Sequence, residues 1–306
     1  MTDTFHGVDV TEDYRWLEDA SSEETIAWTT AQQHRSRTYF GGIPWRDALR
    51  AGVEQLLKSE RSISLVPRFD PELLLWLEQG GVYVVANIRG GGEFGEEWHH
   101  AGRLAAKQNC FDDFIACADH LHSSRTTSRE RLAIMGGSNG GLLMGAVLTQ
   151  RPDIARAVVA AVPVMDSLRA ETTTNGRFNT PEYGTVEDPE LFTVLLAYSP
   201  YHNVVDGTAY PAVLLTAGQN DTRVNAWHAK KMTAQLQEAT SSDRPVLLRL
   251  ESTGHLAGSL DQAIDETTDW HAFLFDQLGL GYRPGAGGGY CLHALEAGVD
   301  EWGPFL

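Results

Sequence analysis

Short apolar runs alternate with helical spacing from residue 82 onward. Val82–Ile88 is apolar and β-branched. Leu132–Met135, Ala157–Val162, Ala212–Ala217 and Val246–Glu251 repeat the pattern. Each is short, bounded by turn residues, and predicts a buried strand. Between them, Phe111, Phe114, Ile115, Ala118 and Leu121 recur at helical spacing, so residues 111–122 are expected to be a helix. Further helices are expected from Asn139 to about Gln150, over Glu190–Ala197, over Ala226–Glu238 and over Leu260–Leu278. Five buried strands alternating with helices predict an α/β fold, with a mostly parallel sheet covered on both faces.

Upstream the pattern is looser. Residues 8–37 are polar and read as helical, with Trp16, Leu17, Ile26 and Trp28 as apolar contacts. Gly41-Gly42-Ile43-Pro44 breaks this arm. Leu49, Val53, Leu56 and Leu57 share one face of a helix over 45–58. Ile63–Val66 suits a short strand, and Glu72–Gln79 a helix ended by Gly80-Gly81. The expected division is an N-terminal helical arm over 1–40, a main α/β domain over 41–283 and a C-terminal tail over 284–306. Gly285–Gly289 serves as a linker.

Composition narrows the class. The 24 basic and 41 acidic side chains leave a net charge of −17, which disfavours nucleic acid and anionic membranes as partners. No run is long enough to span a membrane. Met1–Gly7 lacks the basic head and apolar core of a signal peptide. Cys110, Cys117 and Cys291 are odd in number and show no metal spacing, so a reducing, cytoplasmic setting is expected.

The chemistry gathers at Gly136-Gly137-Ser138-Asn139-Gly140. Gly136, Ser138 and Gly140 fit G-x-S-x-G, the turn that lifts a serine out of a strand-to-helix corner. Taken alone it is a common glycine-rich turn. In α/β hydrolases an acid and then a histidine follow such a serine, each after a later strand. Here the strand 212–217 leads to Asp221, and 246–251 leads to His255. Their order and placement make Ser138, Asp221 and His255 the candidate triad.

Several longer stretches extend the pattern. They are Val85–His99 with its Arg89-Gly90-Gly91-Gly92-Glu93 core, Lys107–Phe114, Gly136–Gly141, Tyr198–Val204 and the Asp221 and His255 loops. Asp13–Asp19 adds an N-terminal match. Together they resemble the catalytic domain of prolyl oligopeptidases, over about residues 8–37 and 80–283. The resemblance implies an α/β-hydrolase fold, with Ser138 as nucleophile, His255 as general base and then acid, and Asp221 as its orienter. It implies that the Asn139 N–H donates to the oxyanion and that Arg223 binds a substrate carbonyl. Tyr183, Val224 and Val164 match walls of the proline pocket. No cofactor and no metal is implied.

The departures set the functional expectation. The family carries a seven-bladed propeller that gates the site by size. Here only residues 38–80 stand between the arm and the core, so no propeller is expected. The first strands of the hydrolase core are missing too, with the loop before Val82 that supplies an oxyanion tyrosine and a pocket phenylalanine. Asn179 takes the place of the tryptophan that stacks on proline, with Phe178 as a substitute. Losing one oxyanion donor costs about 10²–10³ in rate. Esters tolerate that loss better than amides. The expected activity is therefore a serine hydrolase acting on small esters, and on short peptides in an ungated site, with a proline-specific oligopeptidase as the alternative. A homo-oligomer is expected, because a truncated sheet exposes a strand edge.

Three rival readings remain on the sequence. Gly90, Gly92 and Gly95 fit a dinucleotide loop with Asp112 or Asp113 as ribose acid, but Glu93, Glu96 and Glu97 are poor neighbours for a pyrophosphate. A metal hydrolase lacks H-E-x-x-H, and His99-His100 read as solvated or capping. An inactive oligomeric remnant is the third.

Overall fold

A computed structural model of the protein describes residues 1–58, 71–173 and 175–285. Its strands are β1 (Thr2–Phe5), β2 (Val8–Thr11), β3 (Ala133–Gly137), β4 (Ala157–Ala161), β5 (Ala212–Gly218) and β6 (Val246–Glu251). Its helices are α1 (Glu23–Gly41), α2 (Arg46–Lys58), α3 (Pro71–Glu78), α4 (Glu96–His100), α5 (Gln108–Ser123), α6 (Asn139–Gln150), α7 (Thr180–Tyr183), α8 (Pro189–Tyr198), α9 (Trp227–Ala239) and α10 (Leu260–Gln277). Strands β3-β4-β5-β6 form one parallel sheet in that order.

Strand alternation sorts the core into two layers. Val158 and Ala160 of β4 face one side, with Val213, Leu215 and Leu248. They pack with Met144, Val147 and Leu148 of α6 and Met232 and Leu236 of α9. Ala157 and Val159 face the other side, with Leu214 and Leu247. Leu49 and Val53 of α2, Leu75 of α3 and Ile264, Phe273 and Phe275 of α10 cover them. Period-two strands with both faces apolar explain the near-continuous hydrophobic runs of the sequence.

Two expectations fail. Val82–Ile88 is not a strand, and Val82, Val84 and Val85 are 67, 51 and 71% exposed. A strand exists only with a ladder partner, and no described strand pairs with this run. The sheet thus has four described strands rather than five. The N-terminal arm is not helical throughout. Residues 2–11 form an antiparallel hairpin with Thr2 opposite Thr11, and its Phe5 ring stacks 5.2 Å from Phe192. The helical part starts at α1, capped by Ser22 Oγ, which accepts from Thr25 N. The expected strand at Ile63–Val66 and the tail beyond Gly285 lie outside the described residues. So does Cys291; Cys110 and Cys117 are free thiols.

A buried ionic cluster fastens the arm. Lys231 of α9, fully buried, donates to Glu12, to Asp166 at 2.6 Å and to Glu18 at 3.0 Å. Arg15 adds bonds to Glu12 and Asp3, and Arg169 to Glu18. Burial alone would lower the Lys231 ammonium, but Asp166 and Glu12 outweigh it and raise it.

Candidate active site

Ser138 forms the whole corner between β3 and α6. Its backbone sits at φ +56° and ψ −114°, a conformation that costs strain for any residue with a side chain. Two bonds hold it: its N–H donates to Ala161 O at 2.8 Å, and its carbonyl accepts from Leu142 N at 3.1 Å. A Cβ on Gly136 would lie 2.5 Å from the Gly140 carbonyl oxygen, so the strand and helix close up only around glycine. On the helix side the critical glycine is Gly141, where a Cβ would fall 2.7 Å from Pro163 Cα. A Cβ on Gly140 meets nothing within 4 Å. Asn139, the first residue of α6, is exposed, and its N–H has no acceptor within the helix.

Asp221 and His255 follow β5 and β6. Their loops are zipped together by Gln219 N to Glu251 O (2.7 Å), Asn220 N to Thr253 O (2.9 Å) and Asn220 Nδ2 to Ser252 O (3.2 Å). Gly218 permits the approach, since a Cβ there would meet the Gly254 oxygen at 2.0 Å. Asp221 is buried. Its Oδ1 accepts from the N–H groups of Arg223 (2.8 Å) and Val224 (3.0 Å), and its Oδ2 bonds His255 Nδ1 at 2.7 Å. An ionised carboxylate only accepts, which assigns the proton to Nδ1 and leaves a lone pair on Nε2. A bond between Ser138 Oγ and His255 is not among those of the described residues. In unliganded sites such bonds are often long and tighten when substrate arrives.

The other candidates divide. Val164 and Val224, both buried, and the half-buried Tyr183 share one apolar cluster with Cys110, Leu142 and Phe192. Phe178, 81% exposed, and Asn179, also exposed, stand apart from it. Arg223 is exposed. Asn175 Nδ2 donates to Thr222 O at 2.7 Å, tying the segment before α7 to the Asp221 loop.

Sequence reasoning missed a carboxylate next to Tyr183. Glu182 binds both the buried Lys107 (2.7 Å) and His99 (2.9 Å). His99 thus has a carboxylate partner, although its side chain is 37% exposed. Only tertiary packing brings these three together, and no spacing in the chain announces it.

The rival sites are already occupied from within. Asp113 accepts from Arg89 N, Nε and Nη2 at 3.0, 2.8 and 2.5 Å, which commits it to holding the glycine loop. Glu12, Asp166 and His202 offer ligand atoms within 4.8 Å of one another. The Lys231 ammonium bonds two of the three and supplies the positive charge there.

Comparison with known proteins decides the family. Residues 67–281 match the model described as the prolyl oligopeptidase family. The chain is a member of the prolyl oligopeptidase family. Its sheet and covering helices are the α/β-hydrolase fold of that family's catalytic domain. Residues 1–66 match the model of the family's N-terminal β-propeller domain. The described part of them forms the hairpin, α1 and α2 against the core, with no propeller blade. The chain is 43% identical over 222 residues to a prolyl endopeptidase of Elizabethkingia meningoseptica, covering 72% of this chain and 32% of that protein. It is 45% identical over 219 residues to one of Dictyostelium discoideum, covering 70 and 29%. A solved prolyl endopeptidase superposes with a TM-score of 0.67 at 49% identity, over 70% of this chain and 32% of the other. Prolyl oligopeptidase B of Galerina marginata, bound to a 35mer substrate, gives 0.66 at 36%, over 71 and 31%. The chain thus spans about a third of the length of the curated relatives it matches. No described helix is long and apolar enough to cross a membrane.

Proposed function

We propose that this chain is a serine hydrolase that cleaves short, unfolded peptides and activated esters through an acyl-enzyme on Ser138. His255 Nε2 takes the serine proton and returns it to the leaving group. Asp221 holds the imidazole in the competent tautomer, and the Asn139 N–H receives the developing oxyanion. The observation that carries this reading is the Asp221–His255 bond at 2.7 Å, on two interlocked loops at the carboxyl end of the sheet that bears the strained serine.

Relatives named prolyl endopeptidase favour a peptide substrate. The cluster of Tyr183, Val164 and Val224 favours a small ring beside the scissile bond. The exposed Phe178 and Asn179 add no stacking face, so proline preference is modest. Esters, with better leaving groups, turn over faster than peptides here. Arg223 is available to bind a substrate carbonyl. The same open core favours self-association, since Val82–Val85 presents four consecutive exposed apolar residues.

The test is an assay of a short-chain aryl ester and a proline-linked anilide, with fluorophosphonate labelling. Ser138→Ala is expected to abolish labelling and lower both rates by at least about 10³. Asp221→Asn is expected to lower them by about 10⁴ through the wrong tautomer. Ester turnover untouched by Ser138→Ala would sink the mechanism, and an unlabelled wild type would favour an inactive remnant.

A further inference from the structure

The turn that carries Tyr183 is fastened by groups that belong to no triad. α7 is one helical turn, preceded by exposed residues and ended by Gly184 at φ +102°. A single turn has no stability of its own, so its place is set by what grips it. Glu182 provides the grip. Its Oε1 accepts from Lys107 Nζ at 2.7 Å, and its Oε2 bonds His99 Nε2 at 2.9 Å. Lys107 is 1% exposed, and its ammonium also lies over the Tyr183 ring, 5.2 Å from the centroid. Three segments therefore meet on one carboxylate: α4, the residue ahead of α5, and α7.

The arrangement costs too much to be incidental. A buried ammonium must keep its counter-charge, and losing either partner strands the other. Burial alone would raise the Glu182 carboxyl, but Lys107 and His99 outweigh it and hold it below its usual range. It is ionised at neutral pH. The ammonium then points one end at the carboxylate and one at the face of the tyrosine ring, the geometry of a cation–π contact. Ring and carboxylate are adjacent in the chain, so Lys107 fixes the direction of the Tyr183 ring as well as its position. With Phe178 turned to solvent, Tyr183 is the aromatic side chain of this segment that reaches the apolar cluster.

We infer that Glu182, held by Lys107 and His99, is a positioning residue that sets the Tyr183 ring and with it the fit of a proline-sized ring beside the scissile bond. This rests on the reading of Tyr183 as a pocket wall. The grip acts on which residue is accepted, and leaves the chemistry at Ser138 alone.

Binding and turnover separate the possibilities. Calorimetry in the Ser138→Ala background, with N-blocked Gly-Pro and Gly-Ala acids as probes, reads the pocket without catalysis. Glu182→Gln is expected to weaken the Gly-Pro probe by about tenfold and the Gly-Ala probe by less than about twofold. With Ser138 intact, the Pro-to-Ala ratio of kcat/KM on anilides falls by the same factor, carried by KM. Glu182→Asp keeps the charge and is expected to retain preference to within about threefold. His99→Gln removes the half-exposed partner and gives a smaller loss in the same direction, which keeps the test open where Glu182→Gln does not fold. Equal losses on both probes, or none, would overturn the inference. A parent protein that binds both probes alike fails before any Glu182 variant is made, and overturns the pocket reading along with it.

Discussion

Along β6, the alternate carbonyls that face away from β5 are each bonded by a side chain. Val246 O accepts from Gln237 Nε2 at 2.9 Å, Leu248 O from Ser36 Oγ at 2.7 Å, and Leu250 O from Gln33 Nε2 at 3.5 Å. The donors come from α1 and α9, and Gln237 is itself bonded to Gln32 of α1. At the opposite margin, β3 pairs with β4 and with no other described strand. No described side chain bonds its backbone. The apolar run Val82–Val85 is exposed and pairs with no described strand. An edge strand is a template for pairing unless something covers it. Among the described residues, one margin is closed by the N-terminal arm and the other is left open. The contrast shows what the arm is for in this chain. It finishes the sheet, on the side where Asp221 and His255 are mounted.

If the arm closes that margin, breaking its anchor has the largest effect. Lys231→Met leaves the buried Asp166 without its ammonium and Glu12 with Arg15 alone, and is expected to cost about 3–5 kcal/mol. Urea unfolding followed by circular dichroism measures it. A loss under about 1 kcal/mol would mean that the arm is fastened by apolar contacts instead. Ser36→Ala removes one edge cap and strands the Leu248 carbonyl, for an expected loss of about 1–3 kcal/mol. The same titration reads it, with the slope of the transition unchanged.

How much of this was legible in the sequence differs between the margins. Leu132–Met135, Ala157–Val162, Ala212–Ala217 and Val246–Glu251 were readable because a strand buried on both faces is apolar throughout. The order of Ser138, Asp221 and His255 followed from those strands. Val82–Ile88 carries the same composition and was misread, because strand propensity measures fit to a pleated neighbour, and no described strand pairs with this run. The hairpin over 2–11 escaped notice since Thr, Asp and His carry no clean alternation. The gripped Lys107 and Lys231 were invisible for a stronger reason. A buried lysine is betrayed only by the carboxylates that surround it, and these lie far away in the chain.

Acid should loosen the closed margin more gradually. His228 of α9 is buried next to Lys231 and accepts from Met165 N and Asp166 N through Nδ1, at 3.3 and 3.1 Å. Burial first, and the Lys231 charge second, push it well below the usual histidine range. Burial likewise lowers His202, against the pull of Asp166. A base depressed in the folded state contributes stability that is complete above its unfolded pKa near 6.5 and is lost as pH falls toward the folded value. Glu12 is held down by Arg15 and Lys231 against its burial, and its contribution is lost below about 4.5, the ordinary glutamate value. Lys231 runs the other way and weakens only as pH rises past its usual range. The urea midpoint is therefore expected to fall from pH 7 to pH 5. His228→Asn keeps an acceptor without a titrating ring and should flatten that window. A midpoint that stays level between pH 7 and 5 in the parent protein would contradict the neutral assignment of both histidines.

The smallest stability effect belongs to the open margin, and that asymmetry is the sharpest check on the comparison. Val84 is 51% exposed, so Val84→Lys should shift stability by no more than about 0.5 kcal/mol. Its effect falls on association instead, because a charge in a β-prone run opposes pairing with another chain. Sedimentation velocity over rising concentration is expected to show the parent protein gaining mass and Val84→Lys remaining monomeric. Ser36→Ala should do the reverse, losing stability while associating like the parent. A parent that stays monomeric throughout would show that the exposed run is tolerated without a partner. Should Val84→Lys cost as much stability as Ser36→Ala, the run would be packed after all, and the two margins would differ in degree rather than in kind.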